Sequence, residues 1–156
     1  MIKLTTPITI ESIKNLKKGD TVLISGKIFT ARDAAHKKIL EYYKKTGEML
    51  LKGETIYYAG PCPAKPGEPI GSVGPTSSYR MDAFAAEFIK NGLISTIGKG
   101  DRSEEAIKAI QGKGVHFDAI GGAGAYYKSC VKASKTAYFP ELGAEAVYEL
   151  EVEDFP

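Results

Sequence analysis

ETIYYAGPCPAKPGEPIGSVGPTSSYRMDAFAAEFIKNG, residues Glu54 to Gly92, reads as one strand, one long irregular stretch and one helix in succession. ETIYYA (54–59) carries the β-branched and aromatic side chains that fit a pleated strand. Met81, Phe84, Ala85, Phe88 and Ile89 recur at helical spacing, and Asn91-Gly92 closes that helix. The stretch between them, residues 60–78, holds five prolines, which with its glycines stiffen and shape it, unlike a flexible Ser/Gly linker. Loops of this length inside a compact domain are usually functional. A strand–loop–helix unit is the building block of an α/β protein.

The same order recurs on both sides. Leu4 to Ile10 alternates, and TVLISGKIF (21–29) reads as a strand with a glycine bulge. Thr30 is placed to cap a helix, with Asp33 three residues on in a capping-box-like arrangement. Ala35, Ile39, Leu40 and Tyr43 give that helix an apolar face, and Gly47 ends it. Leu93 to Ile97 is a short strand running into GKGD, and Ser103 caps the next helix, with Glu104 and Glu105 in its first turn. VHFDAI (115–120) is a further strand ending in GGAGA, a weaker helical stretch covers Tyr126 to Ala133, and AVYELEV (146–152) is a last strand. The predicted fold class is α/β: a β-rich N-terminal part, then strand–loop–helix units on a mixed or parallel sheet, in a single domain over residues 1–156.

Composition excludes several function classes. A net charge of +2 with scattered lysines gives no nucleic-acid footprint. No apolar run is long enough to span a bilayer, and MIKLTTPITIESIK alternates in a way a signal peptide does not, so no membrane role and a cytoplasmic location are expected. The two cysteines, Cys62 and Cys130, are far apart without CxxC spacing and read as reduced thiols. They cannot build a zinc or iron-sulfur site alone, so no metal ligand is assigned to this chain.

Three cations fall at strand-to-helix junctions: Arg32 beside the Thr30 cap, Arg80 after PTSS, and Lys99 between Gly98 and Gly100. A cation at a helix N-terminus is unfavourable by roughly 0.3–1 kcal/mol, and three such cases point to an anion that supplies the missing charge. Loops after the strands of an α/β sheet gather at one edge, the usual ligand site. Arginine forks onto a carboxylate and lysine adds a point charge, so the set suits a small dicarboxylate. The bland alternative is solvated cations beside Asp33, Asp82 and Asp101. The hydroxyls of Thr76, Ser77 and Ser78 read either as helix caps or as groups that bind a carboxylate or move a proton. His36 and His116 read as structural, and GGAGA lacks the third glycine of a dinucleotide fingerprint.

With these residues in view, the chain resembles the β subunit of class I fumarate hydratase and of its relative L(+)-tartrate dehydratase, a region that forms the C-terminal domain of the single-chain enzymes. The resemblance rests on LKKGDTVLISGKIFTARDAAHKKI, IYYAGPCPAKPGEPIGSVGPTSSYRMD, IGKGD and FPELGAEAVYELEVEDFP, which together cover nearly the whole sequence. It implies a swivelling β/β/α domain and reversible addition of water to a double bond flanked by carboxylates, fumarate to L-malate. It also implies a [4Fe-4S] cluster bound by three cysteines of a partner α subunit and not by this chain, in an α2β2 complex. By position, Arg32, Arg80 and Lys99 would hold the substrate carboxylates. Thr76 would be the proton-transfer hydroxyl, and Ser77 would stand where a second threonine is common. Tartrate dehydratase, whose substrate needs the same charges, is the nearest alternative. A non-catalytic module holding a regulatory anion is the alternative of a different class.

Overall fold

Strand β2 (Val22–Thr30) is the axis of the sheet. Strand β7 (Val147–Phe155) pairs antiparallel along one edge of β2. On the other edge, β1 (Ile2–Thr5) pairs parallel with the first half of β2, and β3 (Thr55–Tyr57) with its last two residues. Strands β4 (Ser95–Gly98) and β5 (Val115–Asp118) continue in parallel beyond β3, and β6 (Val131–Tyr138) lies antiparallel outside β7. The order is β5-β4-β3-β2-β7-β6, with β1 beside β2 in the seven-stranded sheet. This computed structural model describes residues 1–156 and has the expected α/β class.

Helices α2 (Asp33–Thr46), α3 (Asp82–Lys90) and α4 (Glu104–Ile110) cover one face of the sheet. Short helices α1 (Ile10–Ile13) and α5 (Gly124–Ser129) lie on the other. Side chains alternate along a strand, so Ile56 and Tyr58 pack with Ala35, Ile39 and Phe88, whereas Tyr57 and Ala59 pack with Ile28, Tyr127 and Phe155. Burial on both faces is why ETIYYA reads as an unbroken apolar run. The bulge in β2 falls between Ile24 and Gly26, where φ is +111° and a Cβ would sit 2.3 Å from Thr6 Oγ1. Gly47 closes α2 in the left-handed conformation, and Ser103 Oγ accepts from Ala106 N–H at 3.2 Å, both as read from sequence. No helix is long and apolar enough to cross a membrane.

Three elements differ from the sequence reading. Thr30 is the last residue of β2 and not a cap: it pairs with Tyr57, and its buried Oγ1 accepts from Tyr148 N–H at 3.2 Å. The N-cap position passes to Arg32, whose side chain makes no capping bond. The alternation from Leu4 yields only β1, and Thr9 then caps α1 through a capping box with Ser12. The helix near Tyr126 stops at Ser129, and VKASKTAY forms β6. An edge strand is largely exposed and carries charges such as Lys132 and Lys135, so it lacks the apolar periodicity that would reveal it.

Candidate active site

Parallel β2, β3, β4 and β5 deliver their following loops to one edge of the sheet, the ligand edge of an α/β fold. The chain leaves β3 there for the proline-rich loop and returns at Thr76. Thr76 N–H donates to Tyr58 O at 2.6 Å, Lys99 N–H to Thr76 O at 3.3 Å, and Ser78 N–H to Lys99 O at 2.8 Å. Thr76–Ser78 thus takes over the place of β3 beside β4, with Ser77 and Lys99 as parallel bridge partners. Backbone bonds, and not side-chain contacts, set Thr76, Ser77 and Lys99 side by side.

Two further anchors hold the loop. Tyr57 O–H donates to Val73 O at 2.7 Å, and Val73 N–H donates to Gly124 O at 3.2 Å, which ties the loop to the GGAGA segment. Within the loop, Cys62 N–H donates to Ser72 O at 2.8 Å, and a Cβ on Gly71 would sit 2.3 Å from Cys62 O and 2.5 Å from Pro63 O. Backbone atoms cannot yield there as a flexible side chain could. Gly71→Ala is expected to lower stability by about 1–3 kcal/mol, read as a reduced urea midpoint. An unchanged midpoint would show that the loop does not need this close approach.

Arg32 sits at the N-cap of α2, half-buried, with its side chain lying over Gly60: a Cβ there would be 2.9 Å from Arg32 Cδ and 3.2 Å from Nη1. Its Nε is buried without a hydrogen-bond partner, an unmet donor at the sheet edge. Arg80 lies in a 3₁₀ turn (Ser78–Met81) ahead of α3, and its Nη2 is 3.1 Å from Asp33 Oδ2, which joins the start of α2 to the returning loop. Asp33 Oδ1 is itself buried and unpartnered. The Lys99 chain passes over Gly121, where a Cβ would be 3.2 Å from its Cδ and 3.5 Å from Nζ. Arg32, Thr76, Ser77, Arg80 and Lys99 therefore all belong to one connected edge.

The three cations do not all sit at helix starts, as the sequence suggests they would. Only Arg32 occupies an α-helix N-terminus; Arg80 precedes α3 and Lys99 belongs to the β4 edge. Carboxylates of the chain already face the helix starts. Glu145 accepts from Ala34 N–H at 3.4 Å in α2, and Asp82 accepts from Ser103 N–H, the cap of α4, at 2.6 Å. The features that suit an anion are the grouping of the cations and the unpaired Arg32 Nε. Of the hydroxyls, Ser77 makes no capping bond, and Ser78 is fully buried with Oγ 3.2 Å from His116 Nε2.

Sequence reasoning missed the polar cluster beneath this edge. Arg102 donates from Nε to Asp82 Oδ1 at 2.8 Å, with side chains 4% and 9% exposed, and its guanidinium lies 5.1 Å from the Tyr58 ring centre. Its Nη1 reaches Thr96 Oγ1 at 3.2 Å, and Thr96 meets His116 Nδ1 at 2.7 Å. Asp82 looks like a surface acid in the sequence because its partner lies twenty residues on, across the gap between two helices. The signals were polar residues within apolar strands, Thr96 in β4 and His116 in β5.

Both histidines are held inside the protein by contacts with its own residues. His36 donates from Nδ1 to Arg32 O at 2.8 Å and stacks on Phe88. Burial pushes its pKa from 6.5 to about 4. Burial, and then the Arg102 charge, push His116 from 6.5 to about 4. Between these values the unfolded chain binds protons that the folded chain refuses. This stability is fully present above pH 6.5 and is lost as pH falls toward 4, by up to about 3 kcal/mol per histidine. Urea midpoints measured from pH 7 to 5 should fall accordingly, and a flat profile would contradict the burial of both rings.

The chain is thus an α/β domain that displays cations and hydroxyls on the strand-end edge of its sheet. Its family follows from comparison with known proteins. The Fumarase C-terminus family model matches residues 1–156, and the chain belongs to that family. It is 43% identical over 156 residues to a Methanocaldococcus jannaschii protein named provisionally as L(+)-tartrate dehydratase subunit beta, covering 95% of this chain and 80% of that one. It is 36% identical over 161 residues to a Geobacillus stearothermophilus protein named provisionally as class I fumarate hydratase, covering 99% of this chain and 31% of the relative. With the aerobic class I fumarate hydratase of Escherichia coli it shares 37% over 139 residues, 85% of this chain and 25% of that enzyme. The chain thus spans about a third or less of the two fumarate hydratases and most of the tartrate dehydratase subunit.

Proposed function

We propose that this chain is the β subunit of an iron-sulfur-dependent hydro-lyase that interconverts fumarate and L-malate. The observation that carries the reading is the strand-end edge on which backbone bonds set Thr76 and Ser77 against Lys99, with Arg32 and the Asp33–Arg80 pair alongside. In this reading Arg32, Arg80 and Lys99 hold the two carboxylates of the substrate. A hydroxyl is a poor base on its own, and the neighbouring cations favour its deprotonated form, so Thr76 is the group for proton transfer and Ser77 a binding hydroxyl.

The residues of this chain do not fit the cluster itself. Cys62 is exposed, and Cys130 is buried with its thiol directed at the Tyr126 and Asp154 carbonyls, 3.8 and 3.9 Å away. No three His, Cys, Asp or Glu side chains are grouped to hold a metal. In this reading the [4Fe-4S] cluster belongs to a partner α subunit, in an α2β2 assembly in the cytoplasm. Tyr79, next to Arg80, and Ile120, next to the Gly121 that Lys99 overlies, are each 70% exposed and offer apolar surface for such a partner to bury.

A second reading, L(+)-tartrate dehydratase, is favoured by the relative of which this chain covers the largest share among those described above. Anaerobic co-expression with a three-cysteine α chain, followed by assay with fumarate, L-malate and L(+)-tartrate, separates the two. Turnover of fumarate and malate is the expected result. Turnover of tartrate alone would move the assignment, and turnover of none would leave the chain an anion-binding module.

A further inference from the structure

His116 and the cluster around it have no part in the reaction just described, yet they touch its scaffold. Arg102 Nη1 lies 3.2 Å from Thr96 Oγ1 and 3.4 Å from His116 Nδ1, and Thr96 Oγ1 lies 2.7 Å from that same nitrogen. Guanidinium N–H groups only donate, so a proton on Nδ1 would face another proton. The consistent pattern has Arg102 donating to Thr96, and the Thr96 hydroxyl donating to a bare Nδ1. The ring proton then sits on Nε2, 3.2 Å from Ser78 Oγ and 3.5 Å from Asp118 Oδ1. Tyr58 stacks on the ring at 6.2 Å. Gly98 leaves the room this needs, since a Cβ there would stand 2.3 Å from Ser78 Oγ. Ser78 in turn bonds Lys99 O through its N–H at 2.8 Å.

We propose that Asp82 and Arg102 are positioning residues: they hold His116 as the neutral Nε2–H tautomer, whose bond to Ser78 Oγ fixes Thr76–Ser78 against Lys99. The catalytic consequence rests on the roles given above to Thr76 and Lys99; the tautomer does not. ¹⁵N NMR of the histidine rings in the full chain at pH 7 should show His116 protonated at Nε2 and bare at Nδ1. An Nδ1–H ring, or one protonated on both nitrogens, would overturn the positioning role. In the co-expressed complex, His116→Ala and Ser78→Ala should each lower kcat about tenfold, the effect of losing one hydrogen bond, with a smaller change in KM. His116→Gln, whose side-chain amide can still donate to Ser78, should recover most of the loss. Unchanged kcat in both alanine variants, or a glutamine variant as impaired as alanine, would overturn the role. A complex inactive on fumarate and tartrate that still shows the Nε2–H ring would remove the hydro-lyase reading alone.

Discussion

Arg80→Ala is expected to leave the chain folded and to lower kcat/KM of the reconstituted complex by about 10²- to 10³-fold. Arg80 and Asp33 are half-exposed, at 51% and 39% of their side chains, so their ion pair contributes little to stability, within about 1 kcal/mol. Removing the arginine does more than delete a donor. It releases the Asp33 carboxylate, one oxygen of which is already buried and unpartnered, beside the place where a dianion would sit. Repulsion then adds to the lost attraction, and KM should rise along with any fall in kcat. Arg80→Lys keeps the charge but not the two-pronged geometry, and should fall between wild type and alanine. Thermal melts and steady-state kinetics on the three proteins decide the matter: near-normal kcat/KM in Arg80→Ala, with an intact melt, would remove Arg80 from the site.

Asp82→Ala should have the opposite signature, a large loss of stability. Its partner Arg102 is almost fully buried and already has one nitrogen, Nη2, without a hydrogen-bond acceptor. Deleting Asp82 strands that charge in the interior and also strips Ser103 N–H of its acceptor at the start of α4. Breaking such a pair from one side costs about 3–5 kcal/mol, whereas replacing both partners with apolar groups can be nearly neutral. For a chain of this length the expected drop in Tm is about 6–20 °C. The double variant Asp82→Ala, Arg102→Met should regain much of it. A drop of less than about 2 °C in the single variant would mean that the pair is not a structural element.

How much of this could be read beforehand depended on whether the signal was local. Strand β3 was legible as an unbroken β-branched and aromatic run, and helix α3 by the period of its buried stripe, both written in consecutive residues. Gly47 and Ser103 were legible as helix ends because capping is a contact between near neighbours. Strand β6 was not, since its order comes from pairing with β7 and its exposed side chains carry no periodic pattern. Thr30 misled for the same reason: its hydroxyl has a use within a helix turn and another across the sheet, and the sheet prevailed. The candidate-site residues, which the sequence sets at three junctions, lie along one sheet edge, but only Arg32 sits at an α-helix start, and Glu145 and Asp82 reach the starts of α2 and α4 from distant parts of the chain.

The sequence alone determined the α/β class, the residue types presented at the ends of the parallel strands, and the lack of three cysteines with which to hold a cluster. These depend on composition and on spacings of a few residues. Only the tertiary structure decided that Thr76–Ser78 replaces β3 beside Lys99, that Arg80 pairs with Asp33, and that Asp82 and Arg102 are buried together under Tyr58. Each of those joins residues on different elements. Backbone pairing across a sheet and the shedding of water from buried charges create such contacts, and neither leaves a mark in any short run of residues.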